Sequence, residues 1–499
     1  MLRVKILCGY LCFALLCSLT LAIPSAAQTY RILFNSNDTE ADFPLGSLVQ
    51  GPDGNFYGTT LFGGTSTAFP GGTIFRITPQ GALTTLYNFC SQDRCADGAL
   101  PAAGLALGTD GNLYGTTEGG GPNGGGGTVF RITPQGMPTI LASFSSCTPS
   151  NCPDGIAPIT GLVLGSGGNF LGTTSDVSTS RLPSHGTIFR ITPQGALTTL
   201  YHFCSLANCA DGSQPSGLIQ ATDGNFYGTT GFSGQLQFFS LNGNGAPPVT
   251  GMPGTVFRIT PAGFLTTIHT FCQQTNCTDG SLPSGLIQAS DGNLYGTTDS
   301  GGSGGNGVIF RIALNGAFTK LYDFCSQANC ADGGQPLAGL IQGTDGNFYC
   351  TTTVGGTRTG GTLFRMTPAG AITVLHSFAN QHEALAAPFQ ATDGRFYGTL
   401  EVFGFPLPAP AGIIYRESVG LAPFVETVQK VGQVGSTIII LGTNLTGATA
   451  VSFNGTAATF TVVSPTEIKA KVPTGATTGQ IQVTTPTGVL TSNVAFRVP

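Results

Sequence analysis

The segment Asp223-Gly-Asn-Phe-Tyr-Gly-Thr-Thr230, followed after a variable loop by Gly254-Thr-Val-Phe-Arg-Ile259, decides the fold of this 499-residue chain. The Asp-Gly-Asn turn supplies the positive φ angle and the side-chain cap that a tight hairpin needs. The runs on either side of the loop are rich in Thr, Phe and β-branched residues, which is typical of β-strands. The segment therefore predicts a pair of antiparallel strands.

Both halves of this segment recur along the chain. The first half starts at Asp53, Asp110, Gly167, Asp223, Asp291, Asp345 and Asp393. The second half starts at Gly72, Gly127, Gly186, Gly254, Gly307, Gly361 and Gly412. An apolar run precedes each first half, and a further run follows the second half, so a full copy predicts four antiparallel strands. Four such strands form an up-and-down sheet, which is the unit of a propeller blade.

The two ends of the repeat array predict how it closes. The run Tyr30–Phe34 resembles the fourth strand of a copy, whereas the last copy stops after Ile413–Arg416 and lacks its own fourth strand. We expect the N-terminal strand to complete the last blade, because closure removes an exposed sheet edge. Residues 28–418 are thus predicted to form an all-β, seven-bladed β-propeller with four-stranded blades. An open stack is the alternative, and it would need capping repeats.

Composition and charge exclude some classes of function. Charged residues make up only 9 % of the chain, and the formal net charge is −5. A nucleic-acid-binding protein needs a basic patch to neutralise phosphates, and the sequence contains none. No nucleic-acid partner is therefore predicted.

The N-terminus, residues 1–27, has the pattern of a signal peptide. Arg3 and Lys5 precede a long apolar run, and the small residues Ser25–Ala27 offer a cleavage site before Gln28. A transmembrane anchor is the alternative for this segment, and no later segment is long and apolar enough to cross a bilayer. The chain is therefore predicted to be secreted, extracellular or held at the cell surface, with the periplasm as a further option.

Ten cysteines form five pairs at one spacing, each after a predicted fourth strand. The pairs are Cys90 and Cys95, Cys147 and Cys152, Cys204 and Cys209, Cys272 and Cys277, and Cys325 and Cys330. In an exported protein this pattern predicts five local disulfides. Zinc is the alternative, but it needs four converging ligands, whereas each copy offers two cysteines far from the next pair, and no histidine is expected beside them. Cys350 is left over and is predicted to be a buried free thiol.

Two resemblances to known families rest on these residues. The repeated blocks resemble the GloVer-type tandem repeat of secreted bacterial choice-of-anchor proteins, over about residues 29–416. This resemblance implies a surface-associated repeat protein and no particular activity. Residues 422–499 are similar to an IPT/TIG domain, which implies an immunoglobulin-like β-sandwich. The segments that carry this likeness are Val434–Leu445, Ala450–Thr456, Ile468–Pro473 and Gly479–Pro486.

The cysteine loops and the variable loops are predicted to share one face of the propeller, and we expect any binding site there. The cysteine loops also carry a repeated acid, at Asp97, Asp154, Asp211, Asp279 and Asp332. These residues have two readings, which stay open. They are turn residues, or they form a ring of carboxylates that holds Ca²⁺ or a cationic group. No other metal or cofactor is predicted.

Catalytic motifs are scarce. His202, His269 and His376 fall on predicted outermost strands, whereas His185 and His382 fall in loops without a recognisable nucleophile or metal motif. The sequence therefore disfavours an enzymatic function. It predicts a binding protein whose loop face engages an extracellular polysaccharide or a surface protein. A secreted lyase or hydrolase acting on polysaccharide, and a structural envelope component, are the alternatives.

Overall fold

The computed structural model describes residues 28–36, 43–65, 71–122, 125–145, 153–175, 185–231, 254–402 and 412–499. The predicted signal peptide and the pair Cys147 and Cys152 lie outside these described residues. Strands and short 3₁₀ turns are the regular elements found in them. Among them there is no helix with the length and apolarity that a membrane crossing requires.

The described residues up to Ser418 form seven antiparallel sheets. The chain opens with β1 (Thr29–Asn35), and sheet 1 contains β2 (Val49–Gln50), β3 (Phe56–Thr60), β4 (Thr73–Ile77) and β5 (Leu83–Asn88). Sheet 2 contains β6 (Ala106–Leu107), β7 (Leu113–Thr117), β8 (Thr128–Ile132) and β9 (Pro138–Ser143). Sheet 3 contains β10 (Val163–Leu164), β11 (Phe170–Thr174), β12 (Thr187–Ile191) and β13 (Leu197–His202).

The remaining sheets follow the same strand order. Sheet 4 contains β14 (Pro215–Gln220), β15 (Phe226–Thr230), β16 (Thr255–Ile259) and β17 (Leu265–Thr270). Sheet 5 contains β18 (Ser281–Gln288), β19 (Leu294–Ser300), β20 (Val308–Ile312) and β21 (Phe318–Asp323). Sheet 6 contains β22 (Ile341–Gln342), β23 (Phe348–Thr351), β24 (Thr359–Met366) and β25 (Ile372–Ala379). Sheet 7 contains β26 (His382–Glu383), β27 (Phe389–Gln390), β28 (Phe396–Val402), β29 (Gly412–Ser418) and the N-terminal β1.

The repeated Asp and Tyr of each copy hold the hairpin that the sequence predicted. In sheet 4 the carboxylate of Asp223 accepts a hydrogen bond of 3.0 Å from the backbone N–H of Asn225 and one of 2.7 Å from the hydroxyl of Tyr227. The third copy has Gly167 and Leu171 at the positions of Asp223 and Tyr227, so it lacks both partners. The acid and the tyrosine therefore act as one unit that fixes the turn to the strand.

The N-terminal strand pairs with the last sheet. β1 runs antiparallel to β29, from Thr29 opposite Ser418 to Asn35 opposite Ile413. β1 thus supplies the fourth strand that the last copy lacks, at the place where the sequence predicted it.

Equivalent contacts join neighbouring sheets, and they also join the last sheet to the first. The Oε1 atom of Gln288 in sheet 5 accepts a 2.8 Å hydrogen bond from the N–H of Thr222 in sheet 4. The Oε1 atom of Gln50 in sheet 1 accepts the same bond, at 3.0 Å, from Thr392 in sheet 7. Aromatic packing is also shared by the seams. Its pairs include Tyr114 with Phe170, Tyr295 with Phe348, Tyr349 with Phe396, and Tyr397 with Phe56.

The C-terminal residues form two further four-stranded sheets around one core. One sheet contains β30 (Glu426–Thr427), β31 (Thr437–Leu441), β34 (Phe460–Ser464) and β35 (Glu467–Lys471). The other contains β32 (Ala450–Phe453), β33 (Thr456–Ala457), β36 (Ile481–Thr485) and β37 (Gly488–Thr491). Alternate side chains of both sheets, among them Ile438, Ile440, Val451 and Val483, are buried between them. This arrangement is a β-sandwich.

The sandwich packs against the tight turns of the repeat region. Ile439 and Leu441 share an apolar cluster with Tyr57 and Leu107 of sheets 1 and 2. The hydroxyl of Thr466 donates a 2.6 Å hydrogen bond to the carbonyl of Pro52, in the turn after β2. The sandwich therefore covers the turn side and leaves the cysteine loops on the other side.

Disulfides join four of the five predicted cysteine pairs. They link Cys90 to Cys95, Cys204 to Cys209, Cys272 to Cys277, and Cys325 to Cys330. Cys350 is free and buried in strand β23, as predicted. Burial raises the pKa of its thiol to about 12, which keeps this thiol protonated and unreactive in the folded protein.

Candidate functional site

A cavity of about 390 Å³, named here the pit, lies where the first strand of each sheet begins. Equivalent segments of all seven sheets line it. They are Leu45–Ser47, Ala102–Gly104, Ile159–Val163, Ser216–Leu218, Pro283–Gly285, Leu337–Gly339 and Leu385–Ala387. Five of these segments directly follow a cysteine loop in the chain, so the pit opens on the face where the sequence predicted a site. None of the lining residues is charged.

Small residues decide the shape of the pit. A Cβ atom added at Gly104 would lie 2.6 Å from the carbonyl oxygen of Ser47, so the chain is tightly packed there. A Cβ atom added at Gly285 would lie 3.7 Å from its nearest neighbour, so the pit has room on that side. The Ser47 hydroxyl donates a 3.0 Å hydrogen bond to the carbonyl of Ala387. The pit therefore presents mainly peptide groups and short side chains to a ligand.

Three partly or fully buried acids stand at the ends of second strands, and none of them lines the pit. Glu118, Asp299 and Glu401 occupy equivalent positions in sheets 2, 5 and 7. Burial raises the pKa of Glu118 and of Asp299. Sequence reasoning missed this set, although an alignment of the copies would have shown acids where other copies have Leu61, Ser175 or Gly231.

Two acids lie opposite each other on neighbouring strands of sheet 7. Glu383 of β26 lies directly opposite Glu401 of β28, so both side chains project from the same side of the sheet. Glu401 is only 4 % exposed, and its Oε2 atom is buried without a hydrogen-bond partner. Burial, followed by the negative charge of Glu383, raises the pKa of Glu401 well above its ordinary value. Glu401 therefore keeps its proton to a higher pH than an exposed glutamic acid does, and in that form it can donate a hydrogen bond.

Replacing Glu401 with glutamine is expected to stabilise the protein at pH 8 and not at pH 4. The folded chain holds the Glu401 proton more tightly than the unfolded chain does, so stability falls as the pH rises above about 4.5. The E401Q variant should melt roughly 2–4 °C higher than the wild type at pH 8, the shift that about 1 kcal/mol produces. At pH 4 the two should melt together, as measured by circular dichroism. E426Q, which breaks an exposed ion pair with Lys430, is the control. Equal shifts at both pH values would contradict the assignment.

The predicted ring of carboxylates is spread over separate loops. Asp97 accepts hydrogen bonds from the Tyr87 hydroxyl at 2.8 Å and from the N–H groups of Ser91 and Gln92 at 3.0 and 3.2 Å. Asp211 and Asp332 repeat this pattern in their own loops.

The other two acids of that set also have local partners. Asp279 accepts a 3.0 Å bond from the N–H of Cys272, and Asp154 accepts a 2.9 Å bond from the hydroxyl of Thr199. Among the described residues, no group of three metal-binding side chains includes any acid of the set. These contacts support the turn reading, and the calcium ring stays a prediction.

The histidines lie partly where the sequence placed them. His202 and His269 lie on β13 and β17, and His376 lies on β25, the last strands of their sheets. His382 belongs to the short strand β26 and not to a loop.

His185 corrects the reading that no histidine accompanies a cysteine pair. A ring nitrogen of His185 lies within 4.8 Å of the sulfurs of Cys204 and Cys209. The two sulfurs are bonded to each other, which leaves no thiolate for a metal.

The repeat pattern matches a known family. The model of the Gloeobacter/Verrucomicrobia repeat matches residues 20–182, 93–246 and 185–405. The chain belongs to this repeat family. In this Gloeobacter/Verrucomicrobia repeat protein, an IPT/TIG domain model also matches residues 423–498. Both resemblances drawn from the sequence are confirmed.

Solved structures are similar to the Gloeobacter/Verrucomicrobia repeat protein at low identity. A Bacteroides thetaiotaomicron protein of unknown function is 14 % identical with a TM-score of 0.41, over 79 % of this chain and 76 % of its own. A one-component-system extracellular domain from the same organism is 10 % identical with a TM-score of 0.48, over 95 % and 58 %. An α-L-arabinanase of Penicillium chrysogenum is 10 % identical with a TM-score of 0.39, over 70 % and 98 %. No curated protein matches the chain.

Proposed function

We propose that this chain is an extracellular or cell-surface binding protein, in which a closed seven-bladed propeller holds a neutral polysaccharide at the pit. Residues 1–27 are its signal peptide, residues 28–418 its propeller and residues 422–499 its sandwich domain. The four disulfides support an oxidising compartment outside the cytoplasm.

Contacts at the seam between sheets 7 and 1 support closure of the ring. The bond from Thr392 to Gln50 and the packing of Tyr397 on Phe56 repeat what joins the neighbouring sheets elsewhere. An open array would leave the side of sheet 1 that carries these residues exposed.

The observation that carries the function is the uncharged pit on the loop face. A neutral polysaccharide needs hydrogen bonds and small apolar contacts, and the lining peptide groups and short side chains supply both. A surface protein is the other partner that the sequence left open, and the test below separates the two.

A glycan array tests this proposal, read for both retention and product release. The mature wild-type protein should be retained by one class of glycan, and G285F should lose retention because its ring fills the pit. G167F is the matched control, since a Cβ atom at Gly167, on the turn side, has no neighbour within 4 Å. Retention that G285F leaves unchanged, or retention by no glycan at all, contradicts the proposal.

A polysaccharide hydrolase or lyase is the second candidate, favoured by the opposed pair Glu383 and Glu401. Acid catalysis requires a carboxyl group that keeps its proton near neutral pH, and burial shifts the pKa of Glu401 in that direction. Product release from a retained glycan, abolished in both E383Q and E401Q, would establish this activity in place of simple binding.

A further inference from the structure

A second cavity, named here the chamber, lies between the repeat region and the sandwich. Its volume is about 470 Å³. The far ends of the first strands line it, with Gln50, Leu107, Leu164 and Gln220. It therefore opens on the side opposite the mouth of the pit. Val163 and Leu218 line both cavities, which places pit and chamber at successive depths of one channel.

The walls of the chamber are mainly apolar. The repeat region contributes Val49, Val163, Leu164, Ile219, Ile287 and Phe389, and the sandwich contributes Val428, Val431, Leu441 and Val494. The amides in the wall are already occupied. Gln220 bonds to the N–H of Ser166 and to the carbonyl of Gly224, at 2.8 and 3.1 Å. An apolar space of this size stays unfavourable when it is empty, and it falls in the range that holds a small ligand.

The charges at the chamber do not balance. Lys430 is paired with Glu426, at 2.7 Å. No carboxylate of the described residues lies within ion-pair distance of the Arg497 guanidinium, which sits beside Gly224. The nearby Asp223 is occupied by Asn225 and Tyr227. Arg497 therefore offers an uncompensated planar cation at an apolar cavity, in a chain whose net charge is negative.

We propose that the chamber binds an amphipathic monoanion, with its apolar body between the strands and the sandwich and its carboxylate on Arg497. The guanidinium donates two parallel hydrogen bonds to such a group, and the low polarity around it strengthens the pair. The apolar body displaces water from the aliphatic wall. This site is separate from the glycan site at the pit.

Calorimetric titration of the mature protein with dodecanoate tests the proposal. We expect one site per chain. I219W should weaken binding at least tenfold, because the indole fills the chamber. R497Q should weaken dodecanoate at least tenfold and leave the uncharged analogue dodecanol unchanged. K471Q is the matched control, since Lys471 lies on the sandwich outside the chamber, and it should bind as the wild type does.

Three outcomes overturn the proposal: no heat with dodecanoate, binding that neither I219W nor R497Q weakens, or an equal loss for dodecanoate and dodecanol in R497Q. R497Q lies at the surface of the sandwich, so it keeps the test valid if I219W fails to fold. Glycan retention at the pit is read separately on the same variants, and it should stay unchanged in all of them.

Discussion

Replacing Tyr30 with alanine is expected to lower the free energy of unfolding by about 3 kcal/mol, the usual loss for a large aromatic side chain. The Tyr30 ring stacks on His376 with centroids 3.7 Å apart and on Tyr415 with centroids 5.5 Å apart. It therefore ties the N-terminal strand to sheets 6 and 7 at once. Its removal should lower the urea midpoint followed by circular dichroism.

Ile32, on the same strand, provides the control for Tyr30. Its side chain is 47 % exposed, so I32A should change the free energy of unfolding by less than about 0.5 kcal/mol. If Y30A and I32A unfold at the same urea concentration, β1 contributes little to the stability of sheet 7. That result would contradict its role as the closing strand.

Replacing Asp97 with alanine is expected to lower the free energy of unfolding by about 3 kcal/mol, because several partly buried donors lose their acceptor together. Asp97 is 2 % exposed and accepts bonds from Tyr87, Ser91 and Gln92. Thermal unfolding by calorimetry measures the loss. D93A, in the same disulfide loop, is the control, since the Asp93 side chain is 97 % exposed and should change stability little.

Calcium separates the two readings of Asp97. A turn residue is satisfied by its own loop, so adding or chelating Ca²⁺ should leave the melting temperature of the wild type unchanged. A calcium-dependent rise that D97A abolishes would instead establish the carboxylate site that the sequence left open.

The repeat fold could be predicted from the sequence because each copy contains the residues that fix its own turns and strands. The turn at Asp223, the strand around Tyr227 and the cysteine loops all fold through contacts made within one copy. The pairing of β1 with β29 could also be predicted, because the last copy lacks a fourth strand and the N-terminal run resembles one.

The candidate site was harder to predict because long-range contacts create it. Glu383 and Glu401 oppose each other only once β26 pairs with β28. His185 lies close to Cys204 and Cys209 in space, and the spacing of these residues along the sequence does not predict this contact. The chamber exists only because the sandwich covers one end of the channel. The repeated Asp97 and its equivalents accept hydrogen bonds that support the turn reading, and the calcium ring stays a prediction.

The central claim is that sheets 1 and 7 meet to close a ring around the pit. Oxidation of a double variant, S47C with A387C, tests it most directly, since the Ser47 hydroxyl lies 3.0 Å from the Ala387 carbonyl. S47C with S216C, in sheets 1 and 4 on different sides of the pit, is the control. A closed ring predicts a disulfide between residues 47 and 387, found by mass spectrometry of the digested monomer, and none in the control. Absence of that link in the folded, oxidised protein would contradict the closed ring.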